Sequence, residues 1–349
     1  MSGRIKISTN VTNFSVRKYI CIMIGNKTYF VELFGQLGDR LKNGVPRQIV
    51  SMACKENTWF TPRNITTAID AICQQMLERE KIRRWLAQYD IRYDTPKRVG
   101  VVMAGNIPAV GFFDLMCVLC AGHECVVKMS SKDAVLMNFI IEELRAIDSS
   151  VHISIMTDTS VLDAVIATGS DNSAIWFKSR FADMPMLLRG SMHSLALIKG
   201  TESREELKGL TQDIFLHSGL GCRNVSTLLV PRDYPINVLA EELNSGRDLV
   251  SSHYLGNYRQ TRALYQMRGE SFIDGGFFVL KESDEFPSDR LSCITFKRYD
   301  DVSQVEEWMA QNIADIQCVV GDVPFGSAQY PALDDYPDRK DVMTFLMGI

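Results

Sequence analysis

From residue 98 onward, short apolar runs alternate with amphipathic stretches, and this alternation restricts the fold more than any other feature of the chain. Arg98–Ala104 reads as a strand, Ala109–Cys120 as an apolar helix stopped by Gly122, and Cys125–Met129 as the next strand. Ser131 is placed to cap a helix reaching about Ala146, with Leu136, Ile140 and Leu144 on one face. Strands are then expected at His152–Met156, Ala164–Ala167 and Ser194–Ile198, and helices at Asn172–Phe181 and Glu202–Ile214. Single helices between strands are crossovers, which imply parallel pairing and a sheet covered on both faces. The expected class is therefore α/β, with a doubly wound, Rossmann-type parallel sheet of the kind that binds nucleotides. The pattern restarts after Asn224, with strands Val225–Val230, Phe277–Leu280, Cys293–Phe296 and Ile316–Val320. Helical residues are expected from Ile236 to Gln266 and over Val302–Asn312, and upstream residues 64–92 read as one helix carrying Ile72, Met76, Ile82 and Trp85. The division between the two α/β units falls near residues 210–222.

Bulk properties narrow the function. A chain of 349 residues holds one large or two ordinary domains. A formal net charge of -4 gives no basic footprint for nucleic acid. No apolar run reaches the roughly 18–20 residues of a membrane span, so no stable membrane insertion is expected. The short apolar run Tyr19–Gly25 lacks the length and small-residue cleavage site of a signal peptide, and Met23 is an alternative start. Nine irregularly spaced cysteines, among them Cys21, Cys73 and Cys318 in apolar surroundings, do not form a secreted disulfide framework, which points to the cytoplasm. Cys117-x-x-Cys120-x-x-His123-x-Cys125 offers four ligand types in nine residues. Zinc sites use two separated pairs so that the chain can wrap a tetrahedron, whereas here two cysteines share an apolar helix and Cys125 opens a strand, so no metal site is expected.

Four local signals carry chemistry. Gly219-Leu220-Gly221-Cys222-Arg223-Asn224 exposes a cysteine after a tight turn. If its amide opened a helix, that end and Arg223 would both favour the thiolate. Without a third glycine, and with a strand following, the turn is not a dinucleotide fingerprint. Ala104-Gly105-Asn106-Ile107-Pro108 ends the first strand, where open α/β sheets bind ligands, and an asparagine amide there can donate to an oxyanion. Lys128 ends the next strand, ahead of Ser130-Ser131-Lys132-Asp133, and could meet a ribose hydroxyl or phosphate. Thr168-Gly169-Ser170 stands between a strand and a helix, where backbone N–H groups suit a pyrophosphate.

In this order and with these gaps, the signals resemble the aldehyde dehydrogenase superfamily. Within it they are similar to the bacterial acyl-CoA reductase branch, which includes the fatty-acid reductase of bioluminescent bacteria. Asp114-Leu115-x-Cys117-Val118-Leu119 with Gly122-His123, Lys128-x-Ser130-Ser131-Lys132-Asp133, and Gly219–Asn224 carry the likeness. So do Pro324-Phe325-Gly326-x-x-Gln329 and Asp341-x-Met343-x-Phe345-Leu346. The resemblance implies a cofactor domain over 24–212, a catalytic domain over 213–325, and a segment 326–349 returning to the cofactor domain. It implies Cys222 as the nucleophile and Asn106, with the Cys222 amide, as the oxyanion hole. Lys128 would hold the adenosine ribose, and Thr168, Gly169 and Ser170 would cover the cofactor phosphates. Ser131, neutral where NAD-preferring members are often acidic, and its neighbour Lys132 would tolerate a 2′-phosphate, so the expected cofactor is NADPH, with NADH as the alternative.

Departures from the superfamily pattern matter equally. Members that oxidise aldehydes with water carry a Glu general base in a Glu-Leu-Gly-Gly segment. Strand counting places that position at Leu188, in Leu187-Leu188-Arg189-Gly190, so no carboxylate is expected to activate water. The Glu of a Glu-x-Phe-Gly segment has no counterpart around Asp284–Pro287. The expected reaction is NAD(P)H-dependent reduction of a fatty acyl-CoA, or another acyl thioester, to the aldehyde through a Cys222 thioester. The competing readings are a cysteine acyltransferase or thioesterase using His217 or His193 as base, a CoA-independent aldehyde dehydrogenase, and a catalytically silent subunit. A homo-oligomer is compatible with any of them.

Overall fold

A computed structural model describes residues 27–93, 95–157, 161–287 and 291–349. The run Tyr19–Gly25 and the alternative start at Met23 lie outside the described residues. Four helices open the structure: α1 (Lys27–Leu41), α2 (Arg47–Glu56), α3 (Pro62–Met76) and α4 (Arg79–Ala87). The single helix expected over 64–92 is thus two. Thr61 caps α3 through Asn64 N–H, with Pro62 at the first helical position, and the chain breaks at Leu77 before α4 begins.

The first sheet contains β1 (Arg98–Val102), β2 (Glu124–Lys128), β3 (Ile153–Ile155), β4 (Ala164–Thr168) and β5 (Met186–Arg189). All are parallel, in the order β3-β2-β1-β4-β5. Helices α5 (Phe112–Cys120), α6 (Ala134–Ile147) and α7 (Asp171–Arg180) make the crossovers. Helix α6 starts after Asp133, not after Ser131 as the sequence suggests. One face of the sheet shares a large core with α1–α6, including Phe34, Leu115, Val127 and Ile140. The other face is covered by Phe177 and Phe181 at the α7 end, packed on Val102, Val165 and Ala167. Both faces are therefore dry, as near-continuous apolar strands require.

The second sheet contains β6 (His193–Leu197), β7 (Val225–Pro231), β8 (Ile273–Asp274), β9 (Val279–Glu282), β10 (Cys293–Tyr299) and β11 (Ile316–Val320), in the order β11-β6-β7-β10-β9-β8. Only β8 runs antiparallel. Around it lie α8 (Arg204–Phe215), α9 (Ile236–Leu243), α10 (Ser252–Arg268) and α11 (Val302–Gln311), and α12 (Val342–Met347) returns to α5. A capping box between Ser203 and Glu206 starts α8. The helix expected from Ile236 to Gln266 is interrupted by a 3₁₀ segment at Asn244–Leu249. Strand 193–197 joins β7 and β11, so sheet membership changes between Arg189 and His193, ahead of the division read from the sequence at 212/213.

The segment after β11 ties both units together. Asp213 accepts from the N–H groups of Gly326 (2.6 Å) and Ala328 (3.0 Å), and Trp85 Nε1 donates to the Tyr336 hydroxyl (2.8 Å). Lys340 Nζ donates to Leu188 O (2.7 Å), and Gly190 N–H donates to the Asp338 carboxylate (3.1 Å).

Candidate active site

A cleft of about 830 Å³ opens where the carboxyl ends of β1, β4 and β5 face the amino ends of β6, β7 and β10. Ligands in open α/β sheets lie at such strand ends, beside the point where strand order reverses, here between β1 and β4. Asn106, Cys222, Lys132, Thr168, Gly169 and Ser170 all line it. Two expected residues do not. Lys128 is exposed at the end of β2, with Nζ 5.1 Å from the centre of the Trp176 ring, and Ser131 is exposed on the adjoining turn.

The turn before β7 is shaped by its backbone. His217, Ser218 and Gly219 all adopt left-handed conformations, with φ of 55°, 57° and 68°. Gly219 does so freely, whereas the two preceding residues carry strain that their burial must hold. At Gly221 a Cβ would stand 2.6 Å from Ile107 Cδ1, so a larger residue there would require the Ile107 side chain to shift. Asn224 locks the turn: Oδ1 accepts from Gly221 N–H (2.8 Å), and Nδ2 donates to the carbonyls of Asp213, Ile214 and Leu216. Ser194 Oγ donates to Cys222 O (2.8 Å).

Asn106 Nδ2 donates to Leu220 O at 2.7 Å, which holds its amide beside the cysteine turn. That bond uses one of the two amide hydrogens.

The helix start that would favour a thiolate is not formed at Cys222, which sits in a turn ahead of a strand. Burial pushes its thiol above the ordinary range, and Asp338 adds to that, against the lowering effects of Arg223 and Arg189. Arg223 is already committed, pairing with Asp335 (2.7 Å) and donating to Ala328 O.

Leu188, where no water-activating carboxylate is expected, and Arg189 close the last strand of the first sheet. Leu188 packs on the first sheet's outer cluster, and Arg189 turns into the cleft. The Arg189 side chain is 5% exposed and its Nη1 lies 2.8 Å from Asp114, itself 7% exposed. Its Nε and Nη2 have no hydrogen-bond partner among the described residues. Asp114 stood in the family string, but nothing in the sequence pairs it with a residue 75 positions away. His193 lines the cleft, stacked on Phe286 (4.5 Å between centres) and 3.3 Å from Ser226 Oγ; burial lowers its pKa. Phe286 and Pro287, searched for a cofactor-binding Glu, thus supply a stacking surface and part of the cleft wall.

The cysteine–histidine cluster is structural. His123 accepts from Lys97 N–H at Nδ1 and contacts Leu346 O through Nε2 at 2.9 Å, while Cys117, Cys120 and Cys125 are buried. Among the described residues no group of three or more His, Cys, Asp or Glu could hold a metal, and no helix is long and apolar enough to cross a membrane.

The cleft fits a nicotinamide dinucleotide in size and in donors. Ser170 precedes α7 without capping it through its side chain, which leaves the first-turn N–H groups to face a phosphate, and Lys132 adds a cation.

A second, smaller cavity of about 180 Å³ adjoins Cys222. Its wall is mostly apolar, including Ile72, Met76, Ile107, Phe112 and Phe113. The cysteine is thus shared by a polar cleft and an apolar pocket.

Two parallel sheets meeting at a cysteine turn, with an asparagine amide beside it, define an oxidoreductase of the aldehyde dehydrogenase fold. Solved structures agree. The chain is similar to aldehyde dehydrogenase 21 from Physcomitrella patens in complex with succinate, with TM-score 0.68 and 12% identity over 93% of this chain and 84% of that one. It is similar to the NAD+ complex of an aldehyde dehydrogenase from Bacillus cereus, with TM-score 0.61 and 14% identity over 81% and 69%. A putative aldehyde dehydrogenase from Burkholderia cenocepacia gives TM-score 0.62 and 15% identity over 81% and 72%. No curated protein matches the chain. The model of the family described as acyl-CoA reductase (LuxC) matches residues 46–247, more than half of the sequence. The chain belongs to that family, whose members reduce acyl-CoA to aldehyde.

Proposed function

We propose that this protein reduces acyl-CoA through a thioester on Cys222, with NADPH in the larger cleft and the acyl group in the apolar cavity. The observation that carries the reading is the position of Cys222 on the wall of both. Bound NADPH supplies the hydride; NADH is the alternative donor.

Cys222 Sγ attacks the thioester carbonyl carbon, the bond from that carbon to the CoA sulfur breaks, and CoA leaves as the thiol with the cysteine proton. Asn106 Nδ2 and the Cys222 N–H receive the charge that gathers on the carbonyl oxygen; one such donor typically contributes about 3–4 kcal/mol. Splitting the reaction at a covalent intermediate replaces one difficult step with two easier ones. Leu188, read as the position of the missing water-activating base, offers no carboxylate, and its neighbour Arg189 holds Asp114 in an ion pair. Lys132, Ser170 and the α7 N–H groups bind the cofactor phosphates; Lys128 and Ser131 act, if at all, from beyond the cleft wall.

The cofactor unit would comprise 24–212 and the catalytic unit 213–325, with 326–349 completing the former; the strand at 193–197 favours an earlier change. A cytoplasmic location and a homo-oligomer belong to the same reading. The test is labelled acyl-CoA followed by mass spectrometry of the adduct. Label on Cys222, and loss of both adduct and NADPH consumption in Cys222→Ala with cofactor affinity retained, is the expected result. Reproducible label on another cysteine would refute the assignment.

A further inference from the structure

The loop that carries Asn106 is held by a residue far from it in sequence. Asn57, 5% exposed, donates from Nδ2 to Gly105 O at 3.2 Å, and Gly105 immediately precedes Asn106. Asn57 Oδ1 accepts from Trp59 N–H at 3.1 Å, and that bond fixes which end of the amide faces Gly105. Gly105 also packs closely on the next strand end, since a Cβ there would overlap Ser130 Oγ. The backbone leading into Asn106 therefore has little freedom of its own.

The same short turn reaches the second unit. Phe60 is buried in the first core, whereas Trp59 packs on the second and its ring lies 5.3 Å from that of His253 on α10. The start of α10 in turn backs the cysteine turn. Ser251 caps the helix through Tyr254 N–H, Ser251 N–H donates to Ser218 Oγ at 2.9 Å, and Tyr254 lines the cleft. A series of bonded and packed groups thus runs from Asn106 through Gly105, Asn57, Trp59, His253 and Ser251 to the turn that leads into Cys222. It closes on itself where Asn106 Nδ2 meets Leu220 O at 2.7 Å. Two reacting groups carried by separate units work at one spacing only, and a misplacement of about 1 Å can cost about 10²-fold in rate.

We propose that Asn57 and Trp59 are positioning residues that hold the Asn106 amide in register with Cys222, so that both meet the same thioester carbonyl. This rests on the reading of Asn106 as a donor to the carbonyl oxygen and adds the groups that keep it in place.

The experiment is a pair of double-mutant cycles on the full chain, reading kcat for acyl-CoA reduction with NADPH. Asn57→Leu and Trp59→Ala should each lower kcat by about 10-fold or more. Trp59→Phe, which keeps a ring against His253, should recover most of the second loss. Placed on Asn106→Ala, neither Asn57→Leu nor Trp59→Ala should cost more than about 2-fold further, because a group that acts through Asn106 then has nothing left to position. Losses of the same factor in both backgrounds would make the two residues merely structural and overturn the proposal. Full kcat in the folded single variants would overturn it as well. If Asn57→Leu does not fold, the Trp59 variants decide by the same criteria. Full kcat in Asn106→Ala would overturn the reading of Asn106 itself, and this proposal with it.

Discussion

Removing Asp114 should expose how much the buried pair in the cleft matters to the fold. The two side chains are 7% and 5% exposed, and a single guanidinium nitrogen serves both carboxylate oxygens. With Nε and Nη2 already unpartnered, Asp114→Leu would leave Arg189 as a buried charge with no counter-ion. Breaking such a pair costs about 3–5 kcal/mol. At about 2.1 cal/mol/K per residue, a chain of 349 residues has an unfolding entropy near 0.7 kcal/mol/K, so Tm should fall by about 4–7 °C. Arg189→Met should cost less, because an isolated buried carboxyl can take up a proton. The double variant should recover most of the loss, since replacing both members of a buried pair by apolar groups is often neutral. Calorimetry on the four proteins completes the cycle. A loss below about 1 kcal/mol for Asp114→Leu, or a double variant equal to the sum of the singles, would refute the argument.

Other outcomes follow from the same geometry. Asn106→Ala should lower kcat by about 10²–10³-fold, and since its bond to Leu220 O is exposed, stability should drop by no more than about 1 kcal/mol; heat-sensitive protein with full kcat would make Asn106 a turn residue only. Asp133, 3% exposed, has its pKa pushed up by burial to about 8, against the lowering effect of the nearby Ala109 backbone N–H. The folded state therefore holds a proton that the unfolded chain loses near pH 4, and wild-type stability falls progressively from there to about pH 8. Asp133→Asn should match wild type at pH 4 and exceed it by a few kcal/mol above pH 8; urea midpoints showing the same difference at both ends would count against this. With Asp114 paired to Arg189 and Asp338 accepting from Gly190 N–H, the carboxylates lining the cleft are engaged, so the acyl-enzyme should persist in buffer lacking CoA and NADPH, general-base help being worth about 10²–10⁴-fold. Decay to free acid at the turnover rate, abolished in His193→Ala, would place the protein among hydrolases.

Periodicity made the strand–helix alternation legible because the central strands β1, β2 and β4 are apolar runs buried along most of their length and α6 carries one apolar stripe. The same alternation could not say that His193–Leu197 leaves one sheet for another, since pairing is decided across β7 and β11 and not within the strand. Cys222, Asn106 and the Thr168–Ser170 loop were readable from glycine-bearing turns at strand ends. The pairing of Arg189 with Asp114 was not, because a buried ion pair is defined by partners distant in sequence. The thiol's raised pKa is not legible in the sequence either, because it comes first from burial, which outweighs the lowering effect of the adjacent Arg223.

Chain synthesis gives the tie after β11 a temporal meaning. Cys222 is made about 120 residues before Asp335, Asp338 and Lys340, which hold Arg223, the Gly190 amide and the Leu188 carbonyl. At roughly 5–20 residues per second, the cysteine turn waits some 6–24 s on the ribosome before its clamps exist. During that interval Arg223 has no carboxylate to pair with and remains available to draw the neighbouring thiol toward its reactive form. A nascent chain should therefore be more easily alkylated at Cys222 than the finished protein, in which burial keeps the thiol protonated. The segment after β11, through Asp338, also adds to the effect that keeps the Cys222 thiol above its ordinary range.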